Sequence, residues 1–207
     1  AHLLSHPNKP GNPPTLLDGL KGLLAYEIAN GAQLSVITRL DRDTSGLVLV
    51  AKNPETAREL SLAMQNGEIH KEYLALVWGW PVEDEWIIDV PLRRRESGKI
   101  WLKQIVDFEN GRDCLTEFRV EERFERETTN GTRFSLSRCV PKTGRMHQIR
   151  AHLAHCGFPI VGDKIYGPSE DCYVEFIATG WTEKLKRQLL LDRHALHACL
   201  LYTSPSP

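Results

Sequence analysis

Arg39-Leu40-Asp41-Arg42-Asp43-Thr44-Ser45-Gly46 places an aspartate between two arginines, where an apolar segment breaks into a turn. Flanking positive charge keeps a carboxylate ionised, and an ionised carboxylate can act as a nucleophile. The same octapeptide is rich in turn formers, so its acids could instead bond nearby backbone amides. Asp43 fits that role better, because it sits directly against Thr44-Ser45-Gly46. Short strands are expected on either side, Leu34 to Thr38 and Leu47 to Lys52.

Working outward, Thr15 and Asp18 form the pattern of a capping box ahead of Leu16, Leu17, Leu20, Leu23, Leu24 and Ile28. This predicts one helix ending near Asn30-Gly31. Asn53-Pro54-Glu55 starts a second helix, with Pro at its first position, running to about Gln65. Lys71 to Trp78 alternates as a strand. A β-rich stretch follows from about Trp86 to Val140, with a hairpin turn at Asn130-Gly131. Pro141 to Gly144 breaks it. Arg145 to Cys156 reads as a helix stopped by Gly157, Trp181 to Leu191 as another, and Ala195 to Tyr202 as a last strand. Strands outnumber helices and come in hairpins. The pattern implies an α+β fold: one domain over residues 1–207, with a mixed, mainly antiparallel sheet flanked by helices.

Composition narrows the class. No apolar run approaches the roughly 20 residues of a membrane helix. Ala1 to Pro14 lacks the basic start and apolar block of a secretory signal. Cys114, Cys139, Cys156, Cys172 and Cys199 are scattered and odd in number, as expected of reduced thiols in a cytoplasmic protein. The net charge of −1 argues against gripping polyanions over the whole surface. Its distribution differs from its sum. Thr128 to Gly162 holds Arg133, Arg138, Lys142, Arg145 and Arg150 and no acid, while Arg93, Arg94, Arg95, Lys99 and Lys103 form a second basic segment. A neutral protein with a basic face can steer a phosphate backbone; two solvated faces would show the same pattern.

On the helix expected from Arg145, Met146, Ile149 and Leu153 make one apolar stripe, and Arg150 falls in the same arc. An inward arginine needs a carboxylate. None lies within the basic stretch, so the partner must come from elsewhere, and Asp41 is a candidate. Alternatively the Arg150 stem packs while its head reaches solvent. Tyr73, in Lys71-Glu72-Tyr73-Leu74-Ala75, is an aromatic on a strand that could stack on an unpaired base or simply pack in the core. His147, His152, His155 and Cys156 match no familiar ligand spacing, so no metal site is expected.

The segments Arg39 to Gly46, Lys71 to Ala75, Lys142-Thr143-Gly144-Arg145-Met146-His147-Gln148-Ile149-Arg150-Ala151-His152, Pro159-Ile160-Val161-Gly162-Asp163 and Ala195-Leu196-His197-Ala198 occur in the order of the motifs of RluA-type pseudouridine synthases. The chain resembles that family from about Val36 to Leu201. The resemblance implies that Asp41 is the catalytic aspartate and that Tyr73 stacks on the target base. It implies that Arg150 pairs with the aspartate and that Arg39 helps displace the flipped base. Arg42, Arg145 and His147, inside the same motifs, are candidate substrate-binding residues, and Leu200 matches an apolar wall of the site. Thr38 stands where the family usually has His. The usual first strand is only dimly present at Asn8-Lys9-Pro10, and no S4-like RNA-binding domain is expected ahead of it. These features, with the end at Pro207, suggest a chain trimmed at both ends.

The activity implied is isomerisation of uridine to pseudouridine in rRNA or tRNA. The base is flipped out of its stack into a central cleft, and neither a cofactor nor an oligomer is needed. Asp41 could attack the ribose, add to the uracil ring or deprotonate the sugar. Two rivals predict different products. A nucleic-acid glycosylase would release free uracil, and a non-catalytic RNA-binding or chaperone module would work without Asp41.

Overall fold

The computed structural model describes residues 14–203, so the Asn8-Lys9-Pro10 strand lies outside the described residues. The contacts form two compact units. Within the described residues the first is 14–70 with 201–203, and the second is Lys71–Leu200.

In the first unit the capping box is present. Thr15 Oγ1 accepts from the Asp18 amide at 3.3 Å, and the Asp18 carboxylate accepts from the Thr15 amide at 2.9 Å. The single helix expected here is instead two, α1 (Leu16–Leu23) and α2 (Ala25–Ala29), broken at Leu24 with φ −107 and ψ 26. Gly19 and Gly22 weaken the run, each costing about 1 kcal/mol of helix propensity relative to Ala. Strands β1 (Ser35–Val36) and β3 (Val50–Ala51) are shorter than the sequence suggests and pair antiparallel, while Ser45–Gly46, read as part of the turn, forms a further two-residue strand, β2. Helix α3 (Pro54–Gln65) has the expected bounds, with the Asn53 side chain accepting from the Thr56 amide at 2.8 Å.

The second unit is built on an antiparallel sheet. Strand β4 (Ile69–Trp78) continues into it from the first unit. Then come β5 (Glu85–Asp89), β6 (Leu92–Arg94), β7 (Gln104–Val106), β8 (Leu115–Thr128), β9 (Gly131–Pro141) and β10 (Leu196–Thr203). The strand order in this unit is β10-β4-β9-β8-β5, while β6 and β7 form a separate hairpin. The β8–β9 hairpin turns at Thr129-Asn130, one residue earlier than the Asn-Gly pattern indicates, with Thr128 opposite Gly131. The fold is α+β with a mainly antiparallel sheet, as the sequence implies.

Helix α4 (Gln148–His155) lies on this sheet. Its Ile149 and Leu153 join Ala75, Val77, Ile88, Phe118, Cys139, Ile160 and Leu196 in the main core. Fully burying such side chains contributes about 1.5–3 kcal/mol each. The helix starts three residues later than periodicity indicates, and Met146 is half exposed rather than on the apolar stripe. The cause is the Gln148 side chain. Its Oε1 accepts from Thr143 Oγ1 at 2.8 Å and from the Arg145 amide at 3.0 Å, and its Nε2 donates to Leu115 O and Thr116 Oγ1 at 2.9 Å each. The amide pins the 143–147 loop to β8, and His147 turns into the left-handed region at φ 56. Gly157, at φ +82, ends α4 where expected, because a glycine takes that conformation without a Cβ penalty.

Helices α5 (Asp171–Thr179) and α6 (Glu183–Leu189) bury Cys172, Leu185 and Leu189 together. Helix α5 was not expected from the sequence. All five cysteines are free thiols. No helix among the described residues is long and apolar enough to cross a membrane.

His152 is a core residue. Its Nε2 lies 3.2 Å from Val90 O, which only accepts, so Nε2 carries the proton. Nδ1, 3.0 Å from Thr116 Oγ1, accepts from that hydroxyl. The imidazole is therefore neutral, and burial lowers its pKa from the ordinary 6.5. A lowered folded pKa means the unfolded chain binds the proton more readily, so stability is lost as pH falls below about 6.5. Urea midpoints measured from pH 7.5 to 5.5 should decline, and H152Q should flatten that decline. A wild-type midpoint independent of pH in this window would contradict the neutral assignment.

Candidate active site

The candidate residues fall into both units. Arg39, Asp41 and Arg42 belong to the first, and Tyr73, Arg145, His147, Arg150 and Leu200 to the second.

The Asp41 loop is pinned at both ends. The Ile37 amide donates to Leu49 O at 2.8 Å, and Thr38 Oγ1 accepts from the Leu49 amide at 2.8 Å. Thr38 is buried, so this threonine closes the base of the loop by a side-chain bond. Within the loop the Thr44 amide donates to Asp41 O at 3.0 Å, closing a turn through the backbone. Asp41 and Asp43 are half-buried, and Arg39 and Arg42 are exposed.

Arg150 does not reach solvent. It is 4% exposed, and its guanidinium meets Asp163 side-on, Nε to Oδ2 at 2.7 Å and Nη2 to Oδ1 at 2.9 Å. This carboxylate lies one residue beyond the acid-free stretch, inside the Pro159 to Asp163 motif. Asp163 Oδ1 also accepts from the Ile165 and Tyr166 amides at 2.9 and 3.0 Å. Burial alone would raise its pKa, but the charge and hydrogen bonds of Arg150 outweigh that and hold the carboxyl well below the usual range. Gly162, at φ +79, lets the chain run close past the Arg193 backbone, since a Cβ there would lie 2.1 Å from Arg193 O.

Tyr166 extends the network. Its ring lies 5.1 Å from the Arg150 guanidinium. Its hydroxyl accepts from the Gln104 amide at 2.7 Å and lies 3.1 Å from His147 Nδ1. His147 and Arg150 thus share one scaffold, although His147 carries left-handed backbone strain. Tyr73 is half-buried on β4, opposite Cys139 and against the main core. Lys71, two residues earlier and so on the same face of the strand, is half-buried. Its Nζ would lie 3.6 Å from a Cβ at Gly144, and burial lowers its pKa. Leu200 is 43% exposed on β10.

The two basic segments are largely neutralised by acids from other elements. Arg138 pairs with Glu72 and Glu121, and Lys142 with Glu117. Arg93 pairs with Asp107, whose carboxyl the Arg93 hydrogen bond pulls down to about 2. Arg95 and Lys103 share Glu170, and Lys99 meets Asp171. Among the described residues Arg94, Arg112 and Arg145 have no carboxylate partner. All three line one open cavity of about 740 Å³ beside the β6–β7 hairpin. Linear charge runs mislead here, because residues on other strands, turns and helix α5 supply the counter-charges.

A family model described as RNA pseudouridylate synthase matches residues 1–155, and the chain belongs to that family. An uncharacterized RNA pseudouridine synthase of Chloroflexus aurantiacus is 38% identical over 205 residues, 97% of this chain and 55% of that protein. Ribosomal large subunit pseudouridine synthase D of Nitrosomonas europaea is 35% identical over 167 residues, 81% of this chain and 45% of that one. The chain therefore spans about half the length of both curated relatives. The solved structure of human RNA Pseudouridylate Synthase Domain Containing 1 has a TM-score of 0.71 at 25% identity, covering 93% of this chain and 74% of its own.

Proposed function

We propose that this chain isomerises uridine to pseudouridine in RNA, with rRNA or tRNA as substrate. The reading is carried by the half-buried Asp41 on a loop pinned at both ends, in a chain of the pseudouridylate synthase family. In the proposed reaction the uridine is flipped out of its stack into a central cleft. The N1–C1′ bond breaks, the uracil turns, C5 bonds to C1′, and the C5 proton is lost while N1 gains one. Atoms and charge balance with no redox partner.

Asp41 is the proposed reacting carboxylate. Arg150 is proposed to keep it ionised and placed. The Asp163 clamp supports that role, because it fixes the guanidinium in one orientation. Tyr73 is proposed to hold the base, and Arg39 to occupy the space it vacates. Arg42, Arg145 and His147 are proposed to bind the RNA, with Leu200 as an apolar wall. Phosphate contacts of this kind position a strand without reading its sequence. The proposed enzyme acts as a monomer in the cytoplasm, and five free thiols fit a reducing compartment.

The test is RNA carrying tritium at uridine C5. Tritium should pass to water in step with pseudouridine, with no free uracil. Free uracil would instead identify a glycosylase, and unchanged RNA would leave a binding module.

A further inference from the structure

Of the residues lining the cavity beside the β6–β7 hairpin, the proposed reaction uses only Arg145, as one of its RNA-binding residues. Arg93, Arg94, Arg95, Arg112 and Arg145 line it with only one acid, Glu96, which pairs with Arg93. Its aromatic member is Trp101, which is 62% exposed. The Arg94 guanidinium carbon lies 3.8 Å from the Trp101 ring centroid, and Arg94 Nε donates to Trp101 O at 3.1 Å. The indole is therefore fixed in place although it remains open to solvent. Arg112 and Arg145 add two cations without carboxylate partners among the described residues. Arg145 is steadied by a 3.2 Å bond from Nε to Asp113 O.

A rigid aromatic face backed by a guanidinium and flanked by uncompensated cations matches one ligand class. An unstacked nucleotide offers a π-face to the ring and phosphates to the arginines. A free phosphate would not use Trp101, and an apolar peptide would not use the arginines. We propose that this cavity docks a second unpaired nucleotide of the RNA, distinct from the reacting uridine. Its base stacks on the Trp101–Arg94 pair, and its flanking phosphates meet Arg112 and Arg145. The choice of RNA as the ligand rests on the function proposed above. The stacking geometry does not.

The test uses the whole chain and two labelled single-stranded hexaribonucleotides, one complete and one abasic, followed by fluorescence anisotropy. W101A should weaken binding of the complete oligomer about tenfold, within the range for one lost aromatic–base stack, and leave the abasic one unchanged. W101F should retain binding within about threefold. R112Q should weaken both oligomers alike and reduce the slope of log affinity against log salt by about 0.7, the value for one single-strand phosphate contact. The proposal is overturned if W101A matches wild type on the complete oligomer, if it weakens both oligomers equally, or if neither oligomer binds. Trp101-dependent binding without pseudouridine formation would sink the enzymatic reading and leave this site standing. Pseudouridine formation with W101A binding and turning over like wild type would do the reverse.

Discussion

D41N should abolish pseudouridine formation while the RNA still binds. An asparagine has nearly the same shape as the aspartate but cannot carry the negative charge that each available route requires. Losing the reacting side chain of an enzyme typically costs on the order of 10⁴-fold or more in turnover. The turn itself should survive, because the bond that closes it runs from the Thr44 amide to the Asp41 backbone carbonyl. Tritium release from C5-labelled RNA measures the loss. Anisotropy with the same RNA should give a dissociation constant within about twofold of wild type. Turnover within tenfold of wild type would remove Asp41 from the mechanism.

D163N should destabilise the protein by about 3–5 kcal/mol, the usual cost of removing one partner of a buried ion pair. Asn can still accept from the Ile165 and Tyr166 amides, so the loss isolates the charge pair between Asp163 and Arg150. At about 2–4 °C per kcal/mol for a chain of this size, the melting temperature should drop by roughly 6–20 °C. The folded carboxyl is depressed, so the pair contributes fully above the ordinary value of 3.8 and weakens only as pH falls below it. Urea unfolding at pH 7 is the measurement, and a change under 1 kcal/mol would contradict the clamp. The double variant R150M/D163N removes both charges and should recover much of the stability. If Arg150 also serves Asp41, that folded double variant remains inactive. R150L alone would not separate these roles, since it strands the Asp163 carboxylate in the core.

Local chemistry was legible where the partner is a sequence neighbour. The Thr15–Asp18 capping box, the Asn53 cap of α3 and the Gly157 stop of α4 formed as their residues indicate. Each depends on a side chain or glycine meeting backbone a few residues away. The helical period extended α4 back to Arg145 because it could not register Gln148, whose amide reaches Leu115 and Thr116 on a strand more than thirty residues earlier. The partners of His152, Thr116 and Val90, were hidden for the same reason, since both lie more than thirty residues earlier.

The sequence by itself determined the fold class, the family and the candidate residues, because hydrophobic period, capping patterns and ordered motifs are written along the chain. The tertiary structure decided which charges remain uncompensated among the described residues. It paired Arg150 with Asp163, neutralised most of both basic segments, and left Arg94, Arg112 and Arg145 around Trp101. Electrostatic energy depends on distance in space and on burial, and neither follows from position along the chain.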